Sequence, residues 1–248
     1  HVRTAVVWDV LSSALTERMA QTGNDRLDVV DAGGGTGGFA VPLAGQGHRV
    51  TVVDPSPDAL AALERRAAEA RLEGRVKAVQ GDAADLYHLL GPESADVVLC
   101  HGVLEVVDDP RAALRGVVAV LRPDGLASVL VAQRYAAVIA RAVAGHLADA
   151  RHALRDPAKQ WGTDETLPRR FDEPSVRDLF EAADVRILQV HGVRVLADLV
   201  PGALSDDPTS ARDLLELEAM VAGHPAFRAV AGQLHVLGTP GRRRRLSD

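Results

Sequence analysis

The chain has one cysteine in 248 residues, Cys100. No disulfide can close within it, which excludes a small stapled scaffold and makes a reducing, cytoplasmic setting the expectation. Neither a C-x-x-C nor an H-E-x-x-H spacing occurs among the nine histidines and that cysteine, so no metal is expected. A charge-free apolar run is missing as well. The longest stretch, 126–145, is broken by Arg134 and Arg141, both too costly for an unaided membrane span. There is no basic excess: 28 basic residues face 34 acidic ones, a net charge of −6, which argues against a protein that coats nucleic acid by bulk electrostatics. All but Lys77 and Lys159 of the basic residues are arginine, no internal repeat is found, and the chain opens on His1 rather than Met.

What is present alternates between strands and helices. Hydrophobic residues make up 47% and charged residues 25%, the proportions of an ordinary folded chain, and the length suits one to two domains with a full core. Residues 27–32 are a short apolar run that stops at a glycine cluster, and residues 49–54 are a second run rich in β-branched side chains. Both predict buried parallel strands. Between them Gly38–Gly47 has the length of a helix and a turn, which completes a right-handed βαβ unit. A helix follows over 57–73, with Ser56 as its N-cap and Pro57 at its first position. Strands over 75–80 and 96–100, a helix over 111–121 and a strand over 126–132 continue the pattern, with Leu121-Arg-Pro-Asp-Gly125 as a turn before the last. Beyond it the spacing predicts an Ala-rich helix over 135–154, a loop over 155–172, a helix over 175–183, a strand over 185–190, a helix over 209–222 and a final strand over 229–237.

The segment Asp31-Ala-Gly-Gly-Gly-Thr-Gly-Gly38 contains G-x-G-x-x-G at Gly33, Gly35 and Gly38, after a predicted strand and before a predicted helix, the context that gives this motif meaning. A turn this tight, with its backbone against a ligand, has no room for a Cβ. Asp54 ends the second strand and can accept from a ribose diol, so the two together describe a site for an adenosine-containing cofactor. Nicotinamide or flavin dinucleotides and S-adenosylmethionine share that geometry. Charge favours the second. A dinucleotide brings an anionic pyrophosphate that the Asp31 carboxylate would repel, whereas the methionine end of S-adenosylmethionine brings an ammonium and a sulfonium that suit it. Gly81-Asp82-Ala83-Ala84 follows the third strand at the same edge, where Asp82 can accept from the adenine amine and Ala83 and Ala84 can offer backbone groups. The fourth strand carries His101 to that edge.

In this order, Asp31, the glycine loop, Asp54, Gly81-Asp82-Ala83 and Leu121-Arg-Pro-Asp-Gly125 resemble the class I methyltransferase family over residues 27–132. The resemblance implies a Rossmann-like α/β fold, with a seven-stranded, mostly parallel sheet, one antiparallel strand and helices on both faces. It implies S-adenosylmethionine as cofactor and S-adenosylhomocysteine as product, with Asp31, Gly33, Gly34 and Gly35 on the methionine part, Asp54 at the ribose, Asp82, Ala83 and Ala84 at the adenine, and Pro55 also among the cofactor-binding residues. Further stretches are similar to one subfamily, the bacterial tRNA methyltransferases that esterify 5-carboxymethoxyuridine at the wobble position. They are Val2-Arg-Thr-Ala-Val-Val-Trp8, His101-Gly-Val-Leu-Glu-Val-Val-Asp-Asp-Pro110, Ala142-Val-Ala-Gly145 and His191-Gly-Val-Arg-Val-Leu-Ala-Asp198. That likeness implies that Arg3 pairs with the methionine carboxylate and that His101 lies against the cofactor. Residues 1–240 are then one domain, with 133–172 a helical lid after the fifth strand and 241–248 a disordered arginine-rich tail.

The likeness thins on the acceptor side. The tRNA enzymes carry a Tyr-Asn pair and a lysine-rich stretch where this chain has Ala132-Gln133 and Lys159-Gln-Trp-Gly-Thr-Asp-Glu165. Arg151, Arg155, Arg169, Arg170, Arg177 and the tail leave RNA permitted as a partner without demanding it. Methyl transfer from a sulfonium is an in-line displacement, so the protein mainly aligns the reactants and excludes water. A carboxylate acceptor is already ionised and needs only a cation to hold it, for which Arg194 is the first candidate and Arg134 and Tyr135 the next. A hydroxyl, phenol or amine must lose a proton, and His101 and Glu105 are the groups to take it. The acceptor is expected to be a tRNA wobble uridine or a small molecule bearing a carboxylate or hydroxyl. An NAD(P)-dependent oxidoreductase and a cofactor-binding protein without turnover are the alternatives from other classes.

Overall fold

The structure, a computed structural model, describes residues 4–155, 169–201 and 207–241. The predicted apolar runs form the strands β1 (Asp28–Ala32), β2 (Arg49–Asp54), β3 (Val76–Gln80), β4 (Ala95–His101), β5 (Leu121–Ala132), β6 (Val185–Val193) and β7 (Gln233–Pro240). They make one sheet in the order β3-β2-β1-β4-β5-β7-β6. The pairs β1–β2, β1–β4 and β2–β3 are parallel. β7 runs the other way, since Gly232 N donates to Arg194 O at one end of the β6–β7 pair and Gly241 N to Asp184 O at the other. This is the mixed sheet with one antiparallel strand that the resemblance implied. Strand order reverses between β1 and β4, and α/β sheets bind ligands outside the carboxyl ends at such a point. The register sets Ala32 opposite both Val53 and Cys100, so Asp54 and His101 stand one residue further on, at that carboxyl edge.

The helices are α1 (Ala5–Thr22), α2 (Ala40–Gly45), α3 (Pro57–Glu69), α4 (Leu86–Leu90), α5 (Pro110–Ala119), α6 (Arg134–Val143), α7 (Leu147–Arg155), α8 (Glu173–Ala182), α9 (Pro208–Ala222) and α10 (Pro225–Arg228). α3 starts as predicted: Pro57 opens it and the Ser56 hydroxyl accepts from Ala59 N at 3.3 Å. Several boundaries differ from expectation. α1 and α4 were not predicted; the buried residues of α1 are Val6, Val7, Leu11, Ala14, Leu15 and the charged Arg18, and α4 has five residues. The helix expected over 135–154 is two, because Gly145 takes a left-handed φ of +83° and ends α6. Leu121–Gly125 is the start of β5 rather than a turn, since Arg122 is held by Asp28 at 2.8 Å and Asp96 at 2.6 Å and Asp124 absorbs the bend at φ +57°. The last strand begins at Gln233, after Pro225 has started α10. Residues 156–168 of the predicted loop and 242–248 of the predicted tail lie outside the described residues, as does Arg3.

The chain forms two compact units. One comprises Leu15–Val129, Asp178–Leu188 and the chain from Leu237 on. Its core joins β1 and β4, buried along nearly their whole length, to Leu60, Leu63 and Ala67 of α3 and Ala113, Leu114 and Val117 of α5. Each leucine-sized side chain so buried contributes roughly 1.5–3 kcal/mol. At the amino ends of the strands Asp96, 3% exposed, accepts from Asp28 N at 3.0 Å and from Arg122 and Arg18, so the two central strands are tied together by charge as well as by the ladder.

The other unit comprises the chain up to Ala14, Leu130–Arg177 and Gln189–Val236. In it the Arg134 guanidinium donates to the carbonyls of Ala153 and Leu154 at 3.2 and 3.1 Å and faces Asp172 at 3.6 Å, so the first residue of α6 holds the last turn of α7. Among the described residues no helix is long and apolar enough to cross a membrane.

Candidate active site

The site is assembled from the ends of β1, β2, β3 and β4, all in the first unit. Asp31, on β1, is 3% exposed. Burial, and after it the charge of Asp54, push its carboxyl up to about 7. The chain then turns through Gly33, whose N–H donates to Val53 O at 2.7 Å. Gly33 has φ +70°, and a Cβ there would collide with the Val103 side chain; only glycine satisfies both demands. Asp54 closes the loop: one carboxylate oxygen accepts from Gly35 N and the other from Ser56 N, each at 2.9 Å. Gly81 N donates to Asp54 O at 3.2 Å, and Asp82 leads into a short 3₁₀ turn, Ala83–Asp85.

A cleft of about 520 Å³ opens between these segments and the chain that follows β4. Of the residues expected to bind the cofactor, Gly33, Asp54, Pro55, Asp82, Ala83 and Ala84 line it, while Asp31, Gly34, Gly35 and His101 are not among its walls. Its opposite wall was not predicted. It is Gly102, Val103, Val106, Val107, Asp108 and Asp109, with Ala112 and Ala113 of α5; the signal was present, since 102–110 belongs to a stretch quoted above for its likeness to the tRNA enzymes. Asp109 also caps α5, accepting from Arg111 and Ala112 N at 2.8 and 3.1 Å, and these backbone donors hold its carboxyl below the usual range.

Among the described residues five carboxylates, those of Asp54, Asp82, Asp85, Asp108 and Asp109, line the cleft, and no Lys, Arg or His does. That lining suits a cationic, ribose-bearing ligand and opposes a pyrophosphate. Among the described residues no group of three or more His, Cys, Asp or Glu is placed to hold a metal ion.

A family model for a methyltransferase domain matches residues 30–129, the stretch that builds this cleft. Over nearly the whole chain, the sequence is 30% identical to the tRNA 5-carboxymethoxyuridine methyltransferase of Escherichia coli K12, in an alignment of 241 residues covering 95% of this chain and 87% of that protein. The chain belongs to the class I S-adenosylmethionine-dependent methyltransferases. Their cofactor is therefore its cofactor, and the nicotinamide alternative falls. The ubiquinone biosynthesis O-methyltransferase of Methylocella silvestris is 32% identical over 155 residues, 58% of this methyltransferase and 57% of that one. In fold it is similar to magnesium protoporphyrin IX methyltransferase from Synechocystis, solved with bound S-adenosylhomocysteine, at TM-score 0.60 and 16% identity over 96% of this chain and 85% of the other.

The remaining candidates of this methyltransferase sit in defined surroundings. His101 ends β4, bonds Ser128 Oγ through Nε2 at 2.8 Å and meets the Phe39 ring edge-on at 4.7 Å. Burial pushes its imidazole down to about 4, so it is neutral at pH 7. In the second unit Arg134 is taken up by α7 and Asp172, with Tyr135 beside it at 5.5 Å. Arg194 pairs with Asp198 at 2.6 Å.

One residue that sequence reasoning passed over is Gly116. It lies in α5 where a Cβ would run into the Ala83 carbonyl, so the helix and the Ala83–Asp85 turn touch backbone to backbone. Gly116→Ala must push them apart. It is expected to weaken S-adenosylhomocysteine binding by about 1–3 kcal/mol, read by calorimetry. An unchanged affinity would mean that Ala83 plays no part in holding the cofactor.

Proposed function

We propose that this methyltransferase works in the cytoplasm and esterifies a carboxylate, the 5-carboxymethoxy group of a tRNA wobble uridine. The observation that carries this is the extent of the likeness. Similarity to the tRNA enzyme runs through 95% of the chain, including the stretches before and after the common methyltransferase core, whereas similarity to the O-methyltransferases stops at about half. Bound S-adenosylmethionine supplies a methyl group on a sulfonium, an electrophile that an ionised carboxylate attacks without prior deprotonation. The state of His101 agrees with such an acceptor. A phenol or amine calls for a base tuned near the working pH, and a buried neutral imidazole bonded to Ser128 is poorly suited to that task.

On this proposal Asp31 and the Gly33–Gly35 loop hold the methionine part, its ammonium facing Asp31. Arg3, outside the described residues, takes its carboxylate. Asp54 and Pro55 flank the ribose, Asp82, Ala83 and Ala84 face the adenine, and His101 closes the sulfur side. Asp54 has a second duty, because its two backbone bonds shape the loop. Asp54→Ala should therefore raise the Kd for S-adenosylhomocysteine by on the order of 10- to 100-fold, the worth of a charged hydrogen bond; calorimetry showing no change would remove Asp54 from the ribose.

A small-molecule carboxylate is the second reading. It is favoured by the formal charge of −6, which gives no general attraction to RNA. Methyl transfer from labelled S-adenosylmethionine to bulk tRNA and to a small-molecule extract, at matched salt, separates the two. Label in tRNA that mild alkali releases is expected. Label confined to the extract would overturn the tRNA assignment.

A further inference from the structure

The first unit has a second cavity, of about 390 Å³, at the amino edge of the sheet. It opens where Asp28 begins β1 and Arg49 begins β2, with Asp96 and Arg122 near the starts of β4 and β5 and Arg18 near the end of α1. Asp54, in the cleft, ends β2 five residues after Arg49, so at about 3.3 Å per residue the two sites lie roughly 17 Å apart along that strand. Their charges are opposite. Among the described residues four arginines, Arg18, Arg26, Arg49 and Arg122, line the cavity against three carboxylates, those of Asp25, Asp28 and Asp96. Inside it three guanidinia share two carboxylates. Arg122 reaches Asp28 at 2.8 Å and Asp96 at 2.6 Å, and Arg49 takes the other Asp28 oxygen at 2.5 Å. Arg18, 6% exposed, is left with Asp96 Oδ1 at 3.4 Å and the Pro123 carbonyl at 3.2 Å, both through Nη2, and its buried Nε has no hydrogen-bond partner. A guanidinium cannot shed its charge, and burying one without a full anionic partner is costly. The network is one anion short. Arg26 is exposed and makes no ion pair among the described residues, and an adjoining cavity of about 380 Å³ shares Asp28 and Arg49 and adds Arg75 and Lys77 against Glu73. In a chain of net charge −6 this edge is a local excess of cations.

We propose that the cavity framed by Arg18, Arg26, Arg49 and Arg122 is a binding site for a phosphate group, separate from the cofactor cleft. Guanidinium forks match pairs of phosphate oxygens, and donors that arrive from α1, β2 and β5 call for an anion with more than the two oxygens of a carboxylate. A phosphate bound there supplies the negative charge that Asp28 and Asp96 leave lacking. Inorganic phosphate and the phosphodiester of an RNA offer the same oxygens. The site stands whichever acceptor the enzyme methylates; for an RNA it would give a local attraction that the formal charge of the whole chain withholds.

The test is calorimetric titration of inorganic phosphate into the full chain, with chloride at matched ionic strength as the reference. Wild type is compared with Arg26→Gln/Arg49→Gln and with Arg65→Gln/Arg186→Gln, which removes the same charge from exposed positions outside both cavities, after thermal melts show them folded. S-adenosylhomocysteine affinity is expected to be the same in all three. Loss of two charged hydrogen bonds should weaken phosphate binding by at least about tenfold in the first variant and leave it unchanged in the second. Arg26→Gln alone, which breaks no ion pair of the fold, should show a smaller loss in the same direction. Titration with bulk tRNA identifies the source of the phosphate. Weaker tRNA binding by the first variant than by the second means that the site takes an RNA phosphodiester, whereas lost phosphate binding with tRNA affinity alike in the two variants means that it takes a free phosphate. Phosphate and tRNA affinities that are alike in both variants, or a wild type that binds neither, overturn the proposal.

Discussion

Asp31→Asn should lose the cofactor and yet melt at a higher temperature than the wild-type apo protein. The carboxyl is buried beside Asp54, which pushes it up to about 7. A carboxylic acid raised in this way holds its proton in the folded chain at pH values where the unfolded chain has released it. Between about pH 4 and 7 stability therefore falls as pH rises, and above that window the ionised group leaves the fold weaker by on the order of 4 kcal/mol. Asn has no proton to lose, so the stabilisation should be present at pH 8 and vanish near pH 4. An ammonium ligand works in the opposite direction, because it needs the carboxylate and expels the proton. Wild-type affinity for S-adenosylhomocysteine should rise from pH 5 to 7 and level off. Asp31→Asn should lose about 2–5 kcal/mol of binding and the pH dependence with it. Melts and titrations at three pH values decide the matter, and wild-type-like binding by the Asn variant would remove Asp31 from the ammonium site.

Glu218→Ala is expected to be the most damaging change in the second unit. It removes one carboxylate and strands three backbone N–H groups around Val195–Ala197, in a pocket formed with Val221 and Ala231. A buried donor left without an acceptor costs about 1–3 kcal/mol; Val195 N is buried and the other two amides are partly so, and since the three share one turn the total should be about 3–5 kcal/mol. A fall in the denaturant midpoint by that amount, with faster amide exchange at Val195, Leu196 and Ala197, is the expected result. Unchanged exchange at those three amides would show that the turn stands without Glu218. Glu218→Gln, which keeps one acceptor oxygen, should lie between the two.

The glycine-loop side of the candidate site was legible because its demands are local. A strand that must stop, turn within a few residues and leave backbone exposed calls for Asp31, Gly33 and Asp54 in fixed order, and the spacing of those letters survives in the linear text. The opposite wall, Gly102–Asp109, was harder to read. Its Val and Asp residues have no motif of their own and become a wall only because β4 ends beside β1. Gly116 was invisible for a related reason: a glycine inside a helix looks like a weak helical residue until Ala83 is seen against it. Among the candidates for holding an acceptor, Arg134 was chosen as a cation near the fifth strand, and only the return of α7 shows its guanidinium turned to the carbonyls of Ala153 and Leu154. Arg194 and Asp198 could be paired by their spacing of four, but that spacing belongs to surface helices as readily as to a strained turn.

Short-range chemistry thus settled the sheet's apolar strands, the glycine loop and the class of cofactor, since each depends on residues within one βαβ unit. Tertiary structure alone decided which charges are buried and what they meet. Glu218 lies over twenty positions from the amides it holds, and Asp31 owes its raised pKa to burial and to Asp54 on the neighbouring strand. Desolvation and the reach of a hydrogen bond act through space, and the order of residues along the chain carries neither.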